Sequence, residues 1–316
     1  MIAAAIVVTH NSEPFVGRCL EPLLEAGVEL WVVDNASADG TAELVSRRFP
    51  EARLLVNPDN RGFARAVNQA LAQIDAEAVL LVNPDCHAPP ESIRGLLDHL
   101  VANPDVGVVA PRLRDGHGRV AVSAHPFETA ATVLASRFGG SLMPPALRRR
   151  IARGERRRNY DACRAGAEPV KVDWVSGACL AVRGDLLRKV GGLDEGYFLY
   201  YEDEELCFRA RQRGARVVYL PSVEAVHLGG ASSADPLHLW PHLYRSLLRF
   251  QAIHRPHTYA IVRAVVLMRA LLGMALGGLR AAFARDRSAM ARRARAWAVV
   301  ARLVVGESGA IRRSAA

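Results

Sequence analysis

Apolar, β-branched runs at residues 2–8, 28–33, 53–56, 78–82 and 106–110 alternate with segments of helical period. The first segment repeats its apolar positions at Phe15, Cys19, Leu20, Leu23 and Leu24. The next does so at Phe63, Val67, Ala70, Leu71 and Ile74, and the third at Ile93, Leu96, Leu97, Leu100 and Val101. Spacings of three, four and seven put one apolar stripe on each helix, whereas near-continuous apolar runs suit strands covered on both faces. Strand and helix alternating in this way predict an α/β fold with a doubly wound, mainly parallel sheet. Ligands of such sheets bind at the carboxyl ends of the strands, so the residues that follow each run deserve inspection.

Residues 123–169 interrupt the alternation with Gly139-Gly140, Pro144-Pro145 and an arginine run, and read as a partly helical surface excursion. Strand-like patterning returns at 170–182, and from about 236 the chain turns helical and rich in Ala, Leu and Arg. The predicted organisation is a domain over 1–235, with 123–169 as its excursion, and a basic amphipathic helical region over 236–316.

The chain has 316 residues, half of them hydrophobic, enough for a full core. Its five cysteines are odd in number and lack C-x-x-C spacing, which argues against a disulfide framework or structural zinc and for a reducing compartment. The N-terminal Met1–His10 has no basic leader and reads as a buried strand in place of a signal peptide. The net charge of +9 is local: residues 148–158 and 280–313 together carry +13, leaving −4 for the remainder. Arginine without aromatic interleaving or a known module does not make a nucleic-acid binder.

Four predicted strand ends carry polar residues: Thr9 to Ser12, Asp34 to Thr41, Asn57 to Phe63, and Asn83-Pro84-Asp85. Turns and helix caps call for the same residue types, which accounts for any one loop but less well for four converging on one crevice. No glycine follows the first run and no G-x-x-x-x-G-K-[ST] is present, which excludes the two commonest nucleotide-binding patterns. Asp34 remains able to accept hydrogen bonds from a base or ribose. Asp85 suits a divalent cation that bridges phosphates, since hard cations take oxygen ligands.

A second cluster is Tyr200-Tyr201-Glu202-Asp203-Glu204-Glu205. An acidic helix start, favourable with the helix dipole, accounts for Glu204 and Glu205. The aromatic approach marks Glu202 and Asp203 as part of a half-buried floor, where a carboxylate needs a partner, a cation or a task. His227 is a lone histidine, a satisfied structural residue or, given Asp85, a metal ligand.

Together these stretches resemble the family 2 glycosyltransferases of the GT-A fold, and within them the bacterial rhamnosyltransferase-like subgroup. The matches run in order from Val7-Val8-Thr9-His10-Asn11 and Val32 to Thr41 through Asn60 to Asn68 and Leu80 to Asp85. They continue with Val175 to Cys179, Gly192 to Asp203 and Val226 to Gly230. The resemblance implies an inverting transferase of the hexosyl class that uses a nucleotide diphosphate sugar, with Asp203 as catalytic base. It implies donor contacts at Thr9, Asn11, Asp34, Asn35, Ser37, Asp39, Asn60, Gly62, Phe63, Asn68 and Asn83. Acceptor contacts fall at Trp174, Ser176, Gly177, Tyr200 and Glu202, and Asp85 with His227 would hold Mg²⁺ or Mn²⁺. The metal motif reads Asn83-Pro84-Asp85 and so lacks its first carboxylate. The subgroup points to dTDP-rhamnose as donor, with a UDP-hexose, UDP-galactofuranose or a non-catalytic nucleotide-sugar-binding role as alternatives.

Residues 259–283 are apolar but for Arg263, Arg269 and Arg280. Each arginine costs ~2.5–3.5 kcal/mol at mid-bilayer, so a helix lying in the interface with arginines snorkelling fits better than a spanning one. Packing against the catalytic domain and a homodimer contact are the other readings. The sequence thus predicts a cytoplasmic enzyme held peripherally at the inner face of the cell membrane, meeting a lipid-linked or polymeric glycan acceptor of the cell envelope.

Overall fold

Seven consecutive buried residues, Ala3–Thr9, form β1 at the centre of the sheet, as a strand covered on both faces requires. The computed structural model describes residues 1–138, 166–229, 236–283 and 287–306. From β1 the chain passes through α1 (Glu13–Glu25), β2 (Glu29–Asp34), α2 (Thr41–Arg48), β3 (Arg53–Val56), α3 (Phe63–Leu71) and β4 (Ala78–Val82). It continues with β5 (Cys86–His87), α4 (Pro90–Ala102), β6 (Val106–Arg114), β7 (Ala124–His125) and α5 (Ala130–Phe138). Beyond residue 165 come β8 (Val170–Lys171), β9 (Trp174–Val175), β10 (Cys179–Arg183), α6 (Gly184–Val190), α7 (Glu202–Gln212) and β11 (Arg216–His227). A 3₁₀ turn, Pro236–Leu239, leads into α8 (Trp240–His254), α9 (Pro256–Phe283) and α10 (Arg287–Gly306).

Among the described residues nine strands make one sheet in the order β3-β2-β1-β4-β10-β6-β11-β5, with β8 on β11. Strands β1 to β4 pair in parallel, as the alternation predicts. β10 does not: it runs antiparallel to both β4 and β6. That reversal matters for the site. It brings the start of β10, Cys179 opposite Val82, to the same edge as the ends of β1, β2, β3 and β4.

The core is apolar throughout, with Leu20, Leu23 and Val16 of α1 and Ile93, Leu96 and Leu100 of α4 packed with Val7, Val32, Leu80 and Val109 of the sheet. The predicted stripes of α1 and α4 are buried or half-buried except for Val101, which is exposed, and of the α3 stripe Val67 and Ala70 are buried. Of the excursion at 123–169, the described parts are β7, which pairs with β9, and α5; residues 139–165 lie outside the described residues.

The chain divides into two compact units. The first holds the sheet and its helices. The second holds the described residues 128–138, 199–201, 236–283 and 287–306, so α5 and the Leu199–Tyr201 turn group with the C-terminal helices and depart from a division at residue 235. Within the second unit, α9 and α10 lie tightly together. A Cβ on Gly273 of α9 would come within 2.3 Å of the Trp297 ring, and one on Gly277 within 3.0 Å of Ala294. Small residues four apart let helix backbones approach closely. Arg263 donates to the Val304 carbonyl at 3.1 Å, and the Arg269 guanidinium lies 4.4 Å from the Trp297 ring centroid. Both arginines are engaged with α10, where the sequence reading has them snorkelling at an outer edge.

Candidate active site

Two loops at the sheet edge are braced against each other. Asp34, at the end of β2, is almost fully buried and accepts from Thr9 Oγ1 at 2.8 Å, Ser37 Oγ at 2.6 Å and the Ser37 amide at 2.9 Å. Asn11 in turn accepts from the Ala38 amide at 2.7 Å, and its own amide donates to Ser37 Oγ at 2.9 Å. Asp39 spans two helix starts: it accepts from the Glu13 amide of α1 at 3.1 Å and the Thr41 amide of α2 at 3.0 Å, and from the Thr41 hydroxyl. Burial pushes its carboxyl up, but these hydrogen bonds prevail and hold it below the usual range. Glu13 reciprocates by accepting from the Gly40 amide at 3.2 Å. Carboxylates that accept orphan amides at helix starts stabilise both ends and fix the loops.

The third loop joins the same frame. Asn35 donates to the Gly62 carbonyl at 3.1 Å and accepts from Asn57 at 2.9 Å. Gly62 takes a φ of +81°, and a Cβ there would lie 2.6 Å from the Phe198 carbonyl oxygen, so only glycine fits. The neighbouring Phe63 amide donates to that carbonyl at 2.8 Å, while Asn60 accepts from the Gly62 amide at 3.0 Å. Asn68 sits further along α3, with Nδ2 donating to the Leu193 carbonyl at 2.8 Å and Oδ1 accepting the Leu193 amide at 2.9 Å. Thr9, Asp34, Asn35, Gly62 and Asn68 thus build the cradle by bonding to one another or to the 193–198 segment.

The acidic cluster opens α7. Gly177 donates its amide to Asp203 Oδ2 at 2.9 Å, and the Glu204 amide reaches Oδ1 at 2.8 Å. A Cβ at residue 177 would meet the Asp203 Cβ at 3.2 Å, so the missing side chain is what admits the carboxylate. Burial raises the Asp203 carboxyl above its ordinary range against the pull of those two amides. Glu202 is buried, its Oε2 has no hydrogen-bond partner, and burial followed by the Asp203 charge lifts it to about 8. Glu204 and Glu205 lie in the first turn of α7, as the sequence reading has it, but both are buried. Glu205 forms a 2.6 Å ion pair with Arg209, which also donates to the carbonyls of Val190 and Gly192.

Asp85 and His227 come together because β11 pairs antiparallel with β5, placing His227 opposite Cys86. His227 Nε2 lies 3.2 Å from Asp85 Oδ1 and 3.5 Å from the Asn83 side-chain amide, while the Leu228 amide donates to the Asp85 carbonyl at 3.1 Å. No group of three or more His, Cys, Asp or Glu side chains converges among the described residues. An imidazole beside a hard carboxylate fits a divalent cation that takes its remaining ligands from phosphate and water. A cleft of about 470 Å³ opens at Asp85, walled by the start of α1 and by Val226 and Leu228.

The two halves of the site share a backbone. The Asn83 amide donates to the Ala178 carbonyl at 2.9 Å, so Asp203, held by Gly177, is one residue removed from the strand end that carries Asn83 and leads to Asp85. Trp174 is committed to the β7 strand, its indole N–H donating to the Pro126 carbonyl at 3.0 Å and its ring stacking on His125 at 4.4 Å. The Ser176 amide donates to the Ser123 carbonyl at 2.8 Å. Tyr200 belongs to the second unit, and with Tyr201 it takes a left-handed φ, 68° and 69°, immediately before α7. Bulky residues rarely adopt that conformation, so this turn is held by its surroundings. Sequence reasoning missed Glu13, Thr41, Phe198 and Arg209, which touch the frame through backbone atoms or through bonds no spacing rule reveals.

A braced cradle at parallel strand ends, with a buried acid at a helix start held against the entry to an antiparallel return strand, is the architecture of a GT-A nucleotide-sugar transferase. Residues 4–167 match the family described as "Glycosyl transferase family 2". The N-acetylglucosaminyl-diphospho-decaprenol L-rhamnosyltransferase of Mycobacterium tuberculosis is 33% identical over 259 residues, covering 76% of this chain and 81% of that one. The chain belongs to glycosyl transferase family 2 and is a glycosyltransferase. In fold it is similar to the mannosyltransferase PcManGT from Pyrobaculum calidifontis, solved with GDP-Man and Mn²⁺. That match has a TM-score of 0.54 at 18% identity over 97% of this chain and 88% of that one. Staphylococcus aureus TarS aligns over 96% and 90% of the two chains, with a TM-score of 0.51 at 15% identity.

Proposed function

We propose that this protein transfers rhamnose, with inversion, from dTDP-rhamnose to a hydroxyl of a lipid-linked glycan in cell-envelope synthesis, with Asp203 as the base. The observation that carries the reading is the Gly177-held Asp203 carboxylate one residue from the Ala178–Asn83 junction that leads to the Asp85–His227 pair. The choice of sugar and acceptor rests on the M. tuberculosis relative, whose name specifies L-rhamnose and N-acetylglucosaminyl-diphospho-decaprenol.

In the proposed reaction Asp203 takes the proton of the acceptor hydroxyl as its oxygen bonds to the anomeric carbon. The bond from that carbon to the diphosphate breaks on the opposite face, and the nucleoside diphosphate leaves. A positioned base of this kind contributes ~10²–10⁴-fold, and a carboxyl raised by burial is better matched to neutral pH. Asp85 and His227 would hold a divalent cation, which neutralises charge on a departing diphosphate as a Lewis acid. The cradle of Thr9, Asn11, Asp34, Ser37 and Asp39 holds the nucleoside end of the donor, with the loop of Asn60, Gly62 and Phe63 closing it. The helices of the second unit keep the enzyme at the cytoplasmic face of the membrane, where such acceptors reside.

The test is a donor panel with Mn²⁺ or Mg²⁺ and an N-acetylglucosaminyl-diphospho-polyprenol acceptor, read as labelled product. Transfer from dTDP-rhamnose well above UDP-hexoses supports the reading; a preference for a UDP-sugar overturns its sugar assignment.

A further inference from the structure

Residues 190–198 leave α6 as a strap that is fastened on both sides. The strap turns away through two left-handed glycines, Gly191 at φ 77° and Gly192 at φ 73°. Their amides donate back to the Arg188 and Leu187 carbonyls at 3.2 and 2.9 Å and so close the helix. One side of the strap is tied to α7. The Arg209 guanidinium donates to the Val190 carbonyl at 2.6 Å and to the Gly192 carbonyl at 2.9 Å, while its Nε donates to Glu205 at 2.6 Å. A planar fork serves three acceptors at once, which a single ammonium cannot.

The other side is tied to α3. Asn68 Nδ2 donates to the Leu193 carbonyl at 2.8 Å and to Glu195 Oε1 at 3.2 Å, and Oδ1 accepts from the Leu193 amide at 2.9 Å. Both N–H groups and the oxygen of this carboxamide are thereby engaged with the strap. A Cβ on Gly192 would lie 2.5 Å from Asn68 Oδ1, so the glycine is what admits the carboxamide. At the far end the Phe198 carbonyl accepts from the Phe63 amide at 2.8 Å, beside Gly62. These ties connect the two ends of the reaction. Helix α3 begins at Phe63, in the loop that closes the donor cradle, and α7 begins at Glu202 and Asp203. Arg209 lies on α7 about 9 Å along the helix axis from Asp203, at ~1.5 Å per residue.

We infer that the 190–198 strap holds the donor loop in register with the start of α7, and that Asn68 and Arg209 are its positioning residues in sugar transfer. Neither touches the reacting atoms; they set where the donor stands relative to the base. The inference rests on the reading of residues 60–63 as the donor loop and of Asp203 as the base. It departs from the resemblance, which has Asn68 in contact with the donor.

The full-length protein is assayed as wild type, Asn68→Ala, Arg209→Lys and the double variant, with dTDP-rhamnose or whichever sugar nucleotide the donor panel selects. Steady-state transfer, donor affinity by calorimetry and the thermal midpoint are read on each preparation. Arg209→Lys keeps a cation opposite Glu205 and gives up the fork to the two carbonyls. Well below its midpoint, each single variant loses about tenfold or more in kcat, as a misplaced catalytic geometry does, with donor affinity within about twofold of wild type. The double variant loses less than the product of the two single losses, because both cut the same strap. Lys189→Ala, which breaks the exposed pair with Asp185 on α6, keeps the wild-type kcat. A wild-type kcat in both single variants, whatever their midpoints, overturns the inference, since the strap would then only stabilise. A loss of donor affinity at unchanged kcat overturns it too, as would a fully multiplicative loss in the double variant. Should Arg209→Lys not fold, the kcat and affinity of Asn68→Ala decide alone. Asp203→Asn on the same day separates the two readings. Its loss of turnover beside full kcat in the strap variants removes the strap alone, whereas wild-type turnover in it removes the base assignment and the strap's role together.

Discussion

The Gly177 amide lies 2.9 Å from Asp203 Oδ2, and the absence of a side chain at 177 lets the carboxylate sit there. One residue on, the Ala178 carbonyl accepts from the Asn83 amide, so Asp203 and the Asp85–His227 pair are registered through one strand pairing, β10 on β4.

Gly177→Ala therefore tests geometry with the chemistry intact. Its Cβ would sit 3.2 Å from that of Asp203 and push the carboxylate outward by a few tenths of an ångström. Small misplacements of a catalytic group cost up to about 10²-fold. We expect kcat to fall by about tenfold or more while donor affinity stays at its wild-type value, as measured by steady-state kinetics and calorimetry.

Glu202 gives a pH signature in stability. Its carboxyl is raised from 4.5 to about 8 by burial and by Asp203, so the folded state keeps a proton that the unfolded state has released. Its favourable contribution is complete below pH 4.5 and is lost as pH rises to about 8. Glu202→Gln, a neutral isostere, should flatten that part of the stability curve in urea titrations at several pH values. An unchanged slope would mean that Glu202 is already ionised at neutral pH.

Breaking the Glu205–Arg209 pair should unfold the base of the site. Both partners are largely buried, and Arg209 also ties down the Val190 and Gly192 carbonyls. Removing one partner of a buried pair costs about 3 kcal/mol or more. Glu205→Ala should therefore lower the denaturation midpoint sharply, whereas Glu195→Ala, whose contact with Arg65 is half exposed, should barely move it.

Metal dependence is read at Asp85 and His227. Either alanine variant should weaken Mn²⁺-dependent donor binding by about tenfold or more, as loss of even a supporting group around a metal does. Binding that responds to Mn²⁺ as in wild type would remove this pair from the cation site.

Much of this was legible in the chain. Near-continuous apolar runs and the 3.6-residue period located β1 to β4 and α1, α3 and α4; β1, β2 and β4 are buried almost throughout, while β3 is half-buried to exposed. The reversal of β10 was not legible: Cys179–Arg183 is as apolar as the parallel strands, and strand direction leaves no mark in periodicity. Residue types flagged the strand-end loops, but not that Thr9 bonds to Asp34 and that Asn35 bonds to Asn57 and Gly62. The burial of Glu204 and Glu205 was hidden for a similar reason, since an acidic helix start looks alike in water and in a core until its surroundings, such as Arg209 beside Glu205, are placed. In α9 the sequence counted the arginines against a spanning helix and had them snorkelling, whereas Arg263 and Arg269 turn onto α10, a contact no spacing rule reveals.

The most direct test of the central claim is single-turnover sugar transfer by Asp203→Asn, with donor affinity measured on the same preparation. The account predicts a rate reduced by about a hundredfold or more, as for loss of a general base, with donor affinity near wild type. Turnover within about tenfold of wild type would contradict the assignment of Asp203 as the base, since that lies below the usual contribution of such a group.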